Sequence, residues 1–560
     1  MPRSNGSADR SILDVAREPR RALTAGLLFF LSTAVASCDR RASEPAAADA
    51  ATYGGSLVVA GPADLDAANP LTTPDAWTQE IHRHVMFMTL IRFGPRLELQ
   101  PYLARSWRME GDTAAMFELR RDVFWHDGRL TTAHDVRFTF ERALDPKTAY
   151  PNASYFAEWK SVEVMDSFTL RLRFRPHADP LAGAALLPIV PEHLLGSVPP
   201  AELATAPFNQ SPVGNGPFRL VSHQENDRWT FEADASFPRE LGGRPFVDRL
   251  VWRVVPDRAA QVTELLTGNA DLILGTPADQ FAELGARAGI QSIVRPSFKY
   301  SFIGWNGKRA PFGDARVRRA LTLAIDRKAI LDHLRSGYGQ VAVGPVHPNH
   351  WAYDESLQPL PFDTAAARAL LAQAGIVDRG GDANLETASG KPFAFELKFQ
   401  AGNTFSQSAS EMIQADLARI GVRVSVRAVE WSTLVGDISS AARNFDAVLM
   451  GWESDFRVDV RDLFHSRLLD GPFQLASYRN AELDELMDRA ALTADRVASL
   501  PLWHSIQRTL RDDQPWTFLY YYPDLILARD GVRGLDMDLR GVFAGAARWR
   551  AVPSPTLARR

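Results

Sequence analysis

The pattern of apolar and polar positions divides the chain into short strands and helices. Residues 54–60 run from two glycines into Leu57, Val58, Val59 and Ala60, the signature of a buried strand. Over 78–90, Ile81, Val85, Met86 and Leu90 fall on one helical face. Strand-like alternation appears at 116–119 and across 162–174, where Leu170, Leu172 and Phe174 alternate with Arg171, Arg173 and Arg175. These segments predict a sheet-rich region over about 80–212. From 246 the pattern changes: 250–255 reads as a strand, 259–266 as a helix stopped by Gly268, and 271–274 as a strand. That is a β-α-β unit, expected where helices cover a sheet. The second half repeats the logic. Residues 317–334 predict one long amphipathic helix, with Val317, Leu321, Ala324 and Ile325 on its face. Then come a strand at 393–399, a helix at 409–420 ended by Gly421, and strands at 422–429 and 445–450. Residues 378–390, rich in Gly and Asp, read as a surface excursion. Two α/β units more than a hundred residues apart predict two lobes, and no repeat of 20–50 residues points to a solenoid.

Composition narrows the choice of function. Of 560 residues, 46% are hydrophobic and 23% charged, and 63 basic side chains against 67 acidic ones give a net charge of −4. There is no basic surplus of the kind nucleic-acid binding requires. The 13 Trp and 31 Phe exceed what one small core needs and suit a pocket for varied ligands. The single cysteine, Cys38, rules out an intramolecular disulfide and a thiolate metal cluster.

Its position gives that cysteine a different reading. Arg17, Arg20 and Arg21 precede an uncharged stretch at 22–36, too short for a spanning helix and of the right length for a secretory signal. Residues 1–38 are therefore expected to be a lipoprotein signal segment ending at Cys38, and 39–53, rich in Ala, Ser, Asp, Glu and Pro, a flexible tether. The Val35-Ala36-Ser37-Cys38 segment resembles the lipobox of bacterial lipoproteins, which implies lipidation of Cys38 and attachment at the extracytoplasmic, periplasmic face of the inner membrane.

Several segments then resemble the family 5 solute-binding proteins of ABC transporters, the peptide, dipeptide, oligopeptide and nickel binders. They are 97–107 (LELQPYLARSW), 117–128 (FELRRDVFWHDG), 132–136 (TAHDV), 213–218 (VGNGPF) and 311–321 (PFGDARVRRAL). The matches keep the family's order from about Gly54 to about Gly534. The resemblance implies an α/β fold of the two-lobed periplasmic-binding-protein kind, type II, cluster C, with an extra sheet-rich subdomain in the first lobe. Lobe I is expected at 54–302 plus 521–552 and lobe II at 303–520. The outward crossing is expected near 300–304 and the return near 518–522.

The resemblance also implies a ligand site. In 447–455 (AVLMGWESD) an apolar strand delivers Gly451, Trp452 and Glu453 to a loop carrying Asp455. The oligopeptide binders' matching Asp pairs with the ligand's α-amine. A carboxylate in a closed cleft needs such a partner, because burying a charge alone is costly. Gly451 would allow a ligand backbone close approach. Trp452 and Trp431 match aromatic pocket residues. Pro62 and Ala63 follow the first strand in a ligand-contacting loop, and Tyr155 belongs to a segment at 145–155 like the oligopeptide binders' "D-P-x-T-A-x-P-Y-A-S-Y". Two departures stand out: Asn152 replaces that motif's first Tyr, and Asp459 is followed by Val460 where Asp-Pro is usual. Residues 125–128 (WHDG) read as a structural turn rather than chemistry.

The expected function is the substrate-binding component of an ABC importer: it captures peptides or peptide-like solutes between its lobes and delivers them to permease and ATPase subunits. It would act as a monomer, with no cofactor, no metal and no catalytic residue. The chain has no GxSxG, no HExxH and no cysteine beyond Cys38 to act as a nucleophile. The alternatives are a nickel-chelate, oligosaccharide or other solute binder of the same fold, a ligand-sensing receptor and, last, a periplasmic hydrolase.

Overall fold

The computed structural model describes residues 53–552. Cys38, the expected signal segment and all but Tyr53 of the expected tether lie outside the described residues. Two sheets organise the chain. The first has seven strands in the order Ile290–Arg295, Asp524–Arg529, Leu272–Ile273, Ser56–Gly61, Arg249–Val254, Arg228–Ala233, Phe218–Gln224. Ser56–Gly61 runs parallel to the strands on both sides of it. The connection between those two is the helix Arg258–Thr267, opened by Asp257, whose carboxylate accepts the Ala260 N–H at 2.7 Å, and closed by Gly268 at φ +85°. This is the predicted β-α-β unit, with the first strand of the chain inserted between its two strands.

The second sheet has six strands in the order Gln340–Val341, Trp516–Tyr521, Lys299–Trp305, Ala447–Glu453, Ala394–Gln400, Arg423–Val429. Helices cover both faces, which is why its central strands read as unbroken apolar runs rather than alternating ones. Every residue of Trp516–Tyr521 is buried. One face carries Ile303, Trp305, Leu449 and Leu519 against the helices Ala315–Leu323, Arg327–Arg335, Thr364–Gln373 and Thr404–Ala418. The other carries Phe302, Val448, Trp516 and Phe518 against Trp431–Ser439, Ala481–Leu492 and Arg496–Asp513. Phe302 and Trp516 stack there with ring centroids 3.9 Å apart.

The sheet-rich region holds a separate four-stranded antiparallel sheet, Ala104–Met109, Ala114–Leu119, Thr169–Phe174, Trp159–Asp166. The helix Ala133–Leu144 packs on it, started by a capping box between Thr132 and Asp135.

The chain passes between the two main sheets twice. It leaves the first after Arg295 and enters the second at Lys299; it leaves the second after Tyr521 and re-enters the first at Asp524. Residues 300–304 thus already belong to a strand of the second sheet. Charged side chains clamp the passage. Asp524 takes an ion pair from Arg295 and another from Lys299 Nζ at 2.8 Å, and Lys299 Nζ lies 3.9 Å from Glu453.

Two expected helices are corrected. The long helix over 317–334 is two, Ala315–Leu323 and Arg327–Arg335. Asp326 breaks it, because its carboxylate accepts the Ala329 N–H at 2.9 Å and caps a new helix. The helix over 78–90 spans Ala76–Ile81 and then widens to a π turn at His82–Met86, where the Phe87 N–H reaches the His82 carbonyl. Leu90 lies beyond its end. No helix among the described residues is long and apolar enough to cross a membrane.

Candidate functional site

The strand Ala447–Glu453 carries the segment with the greatest chemical interest. Its register against Lys299–Trp305 is unbroken, so Gly451, Trp452 and Glu453 stand in the strand itself, opposite Ser301, Tyr300 and Lys299. On its other side Ala394–Gln400 pairs only with Ala447 and Val448. From Leu449 onward that edge carries no strand partner among the described residues. Gly451 is exposed on this unpaired edge, and a Cβ there would sit 3.3 Å from the Tyr522 hydroxyl.

Alternation then sorts the side chains. Trp452 turns to the aromatic face of the sheet, 5.6 Å from Phe473 and 6.3 Å from Trp516 between ring centroids. Glu453 turns to the other face, towards Lys299. It keeps 47% of its side-chain surface, yet that surface opens between the sheets rather than to bulk water. Burial there raises its carboxyl pKa more than Lys299 lowers it.

Asp455 follows in the loop. Its Oδ1 accepts its neighbour Phe456's N–H at 2.6 Å, and its Oδ2 lies 3.6 Å from Arg457 Nε. The side chain is 22% accessible. Tyr155 meets it from the sheet-rich subdomain. The Tyr155 hydroxyl hydrogen-bonds the Asp455 carboxylate, and burial together with the Asp455 charge pushes the phenol well above its usual range. Arg457 closes the contact, its guanidinium 4.5 Å from the Tyr155 ring centroid and its Nη1 3.5 Å from the Tyr155 carbonyl. Beside them Phe456 stacks on Phe93 at 5.0 Å and packs edge-on to Phe298 at 6.0 Å. Residues about 300 positions apart in sequence thus converge on one loop.

Pro62 and Ala63 lie at the carboxyl end of the parallel strand Ser56–Gly61, the end where α/β sheets bind ligands. Trp252 Nε1 donates to the Ala63 carbonyl at 3.0 Å. The Trp252 ring covers Gly61 so closely that a Cβ would fall 1.9 Å from it, so only glycine fits. Trp431 stands apart. It begins the helix Trp431–Ser439, is 48% exposed, and no ring contact or side-chain hydrogen bond ties it to the other candidates.

The loop after Asp455 takes a definite path. Asp459 accepts the Arg461 N–H at 3.0 Å and its guanidinium at 2.6 Å, and Val460 is buried at the start of the short helix Arg461–Phe464. The 125–128 segment is a turn: the Gly128 N–H reaches the Trp125 carbonyl at 2.8 Å, and Asp127 pairs with His193 at 2.7 Å on the surface. Arg457, Phe456 and Lys299 are the participants that sequence reasoning missed. Only the position of Arg457, two residues past Asp455, offered a local hint.

The arrangement has the parts of a binding cleft: an anion, an unpaired strand edge and aromatic walls, with contributions from both main sheets. Comparison with known proteins agrees. The family model of bacterial extracellular solute-binding proteins, family 5 Middle, matches residues 98–466. The chain is 31% identical over 501 residues to the oligopeptide-binding protein AppA of Bacillus subtilis, covering 88% of this chain and 91% of that protein. It is 30% identical over 446 residues to heme-binding protein A of Haemophilus influenzae, covering 75% and 78%. The crystal structure of Bacillus subtilis AppA in complex with a nonapeptide superposes with a TM-score of 0.77 at 29% identity, covering 90% of this chain and 99% of that one. The chain belongs to the bacterial extracellular solute-binding proteins of family 5.

Proposed function

We propose that this protein is the substrate-binding component of an ABC importer and that it holds a peptide or peptide-like solute between its lobes. One observation carries the reading. The strand Ala447–Glu453 offers an unpaired edge at Leu449–Glu453, with Gly451 exposed upon it and Asp455 just past its end. An extended peptide can add to such an edge through main-chain hydrogen bonds, which read no side chains and so tolerate varied sequences. Its terminal ammonium would meet Asp455, while Tyr155 closes from the other lobe. Trp452 then lines the slot from the aromatic face, Glu453 sets its charge, and Pro62 and Ala63 bound it from the first lobe. Trp431, exposed and remote from Asp455, is assigned to the outer rim.

The lobes divide at the two passages, with Lys299–Tyr521 in the second lobe and both flanking stretches in the first. Ligand contacts to both lobes favour the closed state. The cargo is returned intact, so the protein acts as a carrier and not as a hydrolase. Cys38 is assigned as the lipid attachment point that holds the protein at the outer face of the inner membrane.

Native mass spectrometry of the purified protein, before and after addition of a peptide mixture, tests this. Adducts of unmodified peptides, with a melting midpoint that rises with peptide concentration, are the expected result. A protein that captures none of them and instead retains a metal chelate, a sugar or a haem would overturn the peptide assignment.

A further inference from the structure

The first lobe contains a cavity of about 140 Å³ that shares a wall with the cleft. Its cleft-side wall is Phe456, the neighbour of Asp455, stacked on Phe93. Asp455 does not line it. Four guanidinium groups do: Arg83, Arg92, Arg540 and Arg548. Their carboxylate partners are few. Arg540 is engaged by Asp538 through two bonds, of 2.9 and 2.6 Å. Arg548 has Asp536 at 3.8 Å, on the surface. Glu80 is nearby, but its Oε2 accepts the N–H groups of Val542, at 2.7 Å, and Phe543.

That leaves Arg83 and Arg92. Arg83 bonds only the neutral Gln79 amide, at 3.3 Å. Arg92 has no hydrogen bond or ion pair among the described residues; its guanidinium lies 5.1 Å over the Tyr102 ring, and its Nε is buried without a partner. Burial, with Arg540, Arg548 and Arg120 adding to it, lowers the Arg92 pKa, and the charge of Tyr102 opposes that shift. The field of Arg83 also reaches Tyr155 and Glu453, which puts it between cavity and cleft. His84, on the same wall, is held neutral by burial, with its pKa lowered to about 3.

Crowding cations on one enclosed wall is unfavourable unless an anion joins them. The size of the cavity limits what that anion is. Whole-ligand pockets run to about 300–1,000 Å³, so this space takes one side chain or chain end and not an entire solute. We propose that the cavity is an anionic subsite in which Arg83 and Arg92 clasp a carboxylate of the bound solute, while its amine lies at Asp455 on the other side of Phe456. The inference deepens the peptide reading and rests on it: the preferred cargo is a peptide-like solute bearing an acid group, supplied either by a Glu or Asp side chain or by the C-terminus.

Isothermal titration calorimetry of the full-length protein tests this with Ala-Ala-Ala, Ala-Glu-Ala and Ala-Gln-Ala, each as free acid and as C-terminal amide. If a side chain enters, the Glu peptide binds at least tenfold more tightly than its Gln isostere. If the C-terminus enters, the free acids bind at least tenfold more tightly than the amides. In either case the ratio falls to about one in both Arg92→Gln and Arg83→Gln, whose melting transitions report whether each variant is folded. Ratios within twofold in the native protein, or a ratio that survives both substitutions, would overturn the subsite and leave the peptide reading standing. If none of the six peptides binds, the peptide reading falls and glutarate alone decides the cavity. A melting midpoint raised by glutarate in the native protein and not in Arg92→Gln supports the subsite; an unmoved midpoint overturns it.

Discussion

Replacing Asp455 by Asn tests the amine-binding role directly. The substitution keeps the side chain's shape and the acceptor for the Phe456 N–H, now at 2.6 Å, and it removes the charge that faces Tyr155 and Arg457. Arg457 Nε is 3.6 Å away, too far for a good hydrogen bond, so the carboxylate retains capacity for a ligand ammonium. A hydrogen bond to a charged group contributes about 1.5–3 kcal/mol. Asp455 keeps 22% of its side-chain surface, so water screens part of the interaction and the lower half of that range applies. At 1.4 kcal/mol per decade, a loss of about 1.5–2 kcal/mol weakens binding by roughly 10–30-fold. Calorimetry with a free-amine peptide and its N-acetylated counterpart, against both proteins, completes a double cycle. Asp455→Asn should weaken the free-amine peptide by that factor and the acetylated peptide less than about threefold. Equal losses for the two peptides would refute the reasoning, because they would mean that Asp455 shapes the loop and does not recognise the amine.

Other perturbations have equally definite outcomes. Gly451→Val places a branched side chain on the unpaired strand edge, at a backbone angle outside the left-handed region, so it should abolish measurable peptide binding in calorimetry and leave the melting midpoint within a few degrees of the native value. Asp179→Ala removes the interlobe pair with Arg496, 2.9 Å long and with 41% of the Arg side chain exposed. A pair this exposed contributes about 0.5–1 kcal/mol, so stopped-flow release of a labelled peptide should accelerate about two- to fivefold. Asp524→Asn leaves Arg295 and Lys299 buried with one carboxylate fewer, although Lys299 still has Glu453 at 3.9 Å. Breaking a buried pair costs about 3–5 kcal/mol, and urea unfolding at pH 7 should place this variant near the lower figure. Arg295 and Lys299 outweigh burial and hold the Asp524 pKa below its ordinary value. Its stabilising contribution is therefore complete above the unfolded pKa of about 4 and fades as the pH drops through the folded value. The gap between variant and native protein should accordingly stay constant from neutral pH to about pH 5 and narrow in stronger acid.

Much of the fold is legible because burial on both faces leaves a simple mark. The strands Trp516–Tyr521 and Ala447–Glu453 are near-continuous apolar runs, and the first β-α-β unit is punctuated by Asp257 and Gly268 at its helix ends. What failed to show were features that leave the apolar period intact. Across 317–334 the residues Leu323, Ala324 and Ile325 continue the helical spacing, while Asp326 ends one helix and starts another. The capping Asp was visible in the sequence, and hydrophobic periodicity outweighed it. The π turn at His82–Met86 inserts one extra residue, which carries Leu90 off the face that a strict 3.6-residue period assigns it.

The site divides differently. Gly451 and Asp455 are identified by a short motif at one strand end, where local sequence and local geometry coincide. Their partners are not local. Tyr155 reaches Asp455 from about 300 residues away, and nothing in the residues between encodes the meeting except the fold itself. Arg83 and Arg92 are harder still, since each is one of 63 basic side chains and neither belongs to a charged run. What sets them apart is the company they keep: a shared cavity wall, two further guanidinium groups and carboxylates already committed elsewhere. A charge becomes informative only when its neutralising partners can be counted, and that count requires coordinates. The same reasoning explains why Lys299, equally unremarkable in sequence, does not qualify as a ligand anchor. Asp524 at 2.8 Å already satisfies it, so it braces the passage between the lobes and leaves the recognition of an incoming anion to the cavity.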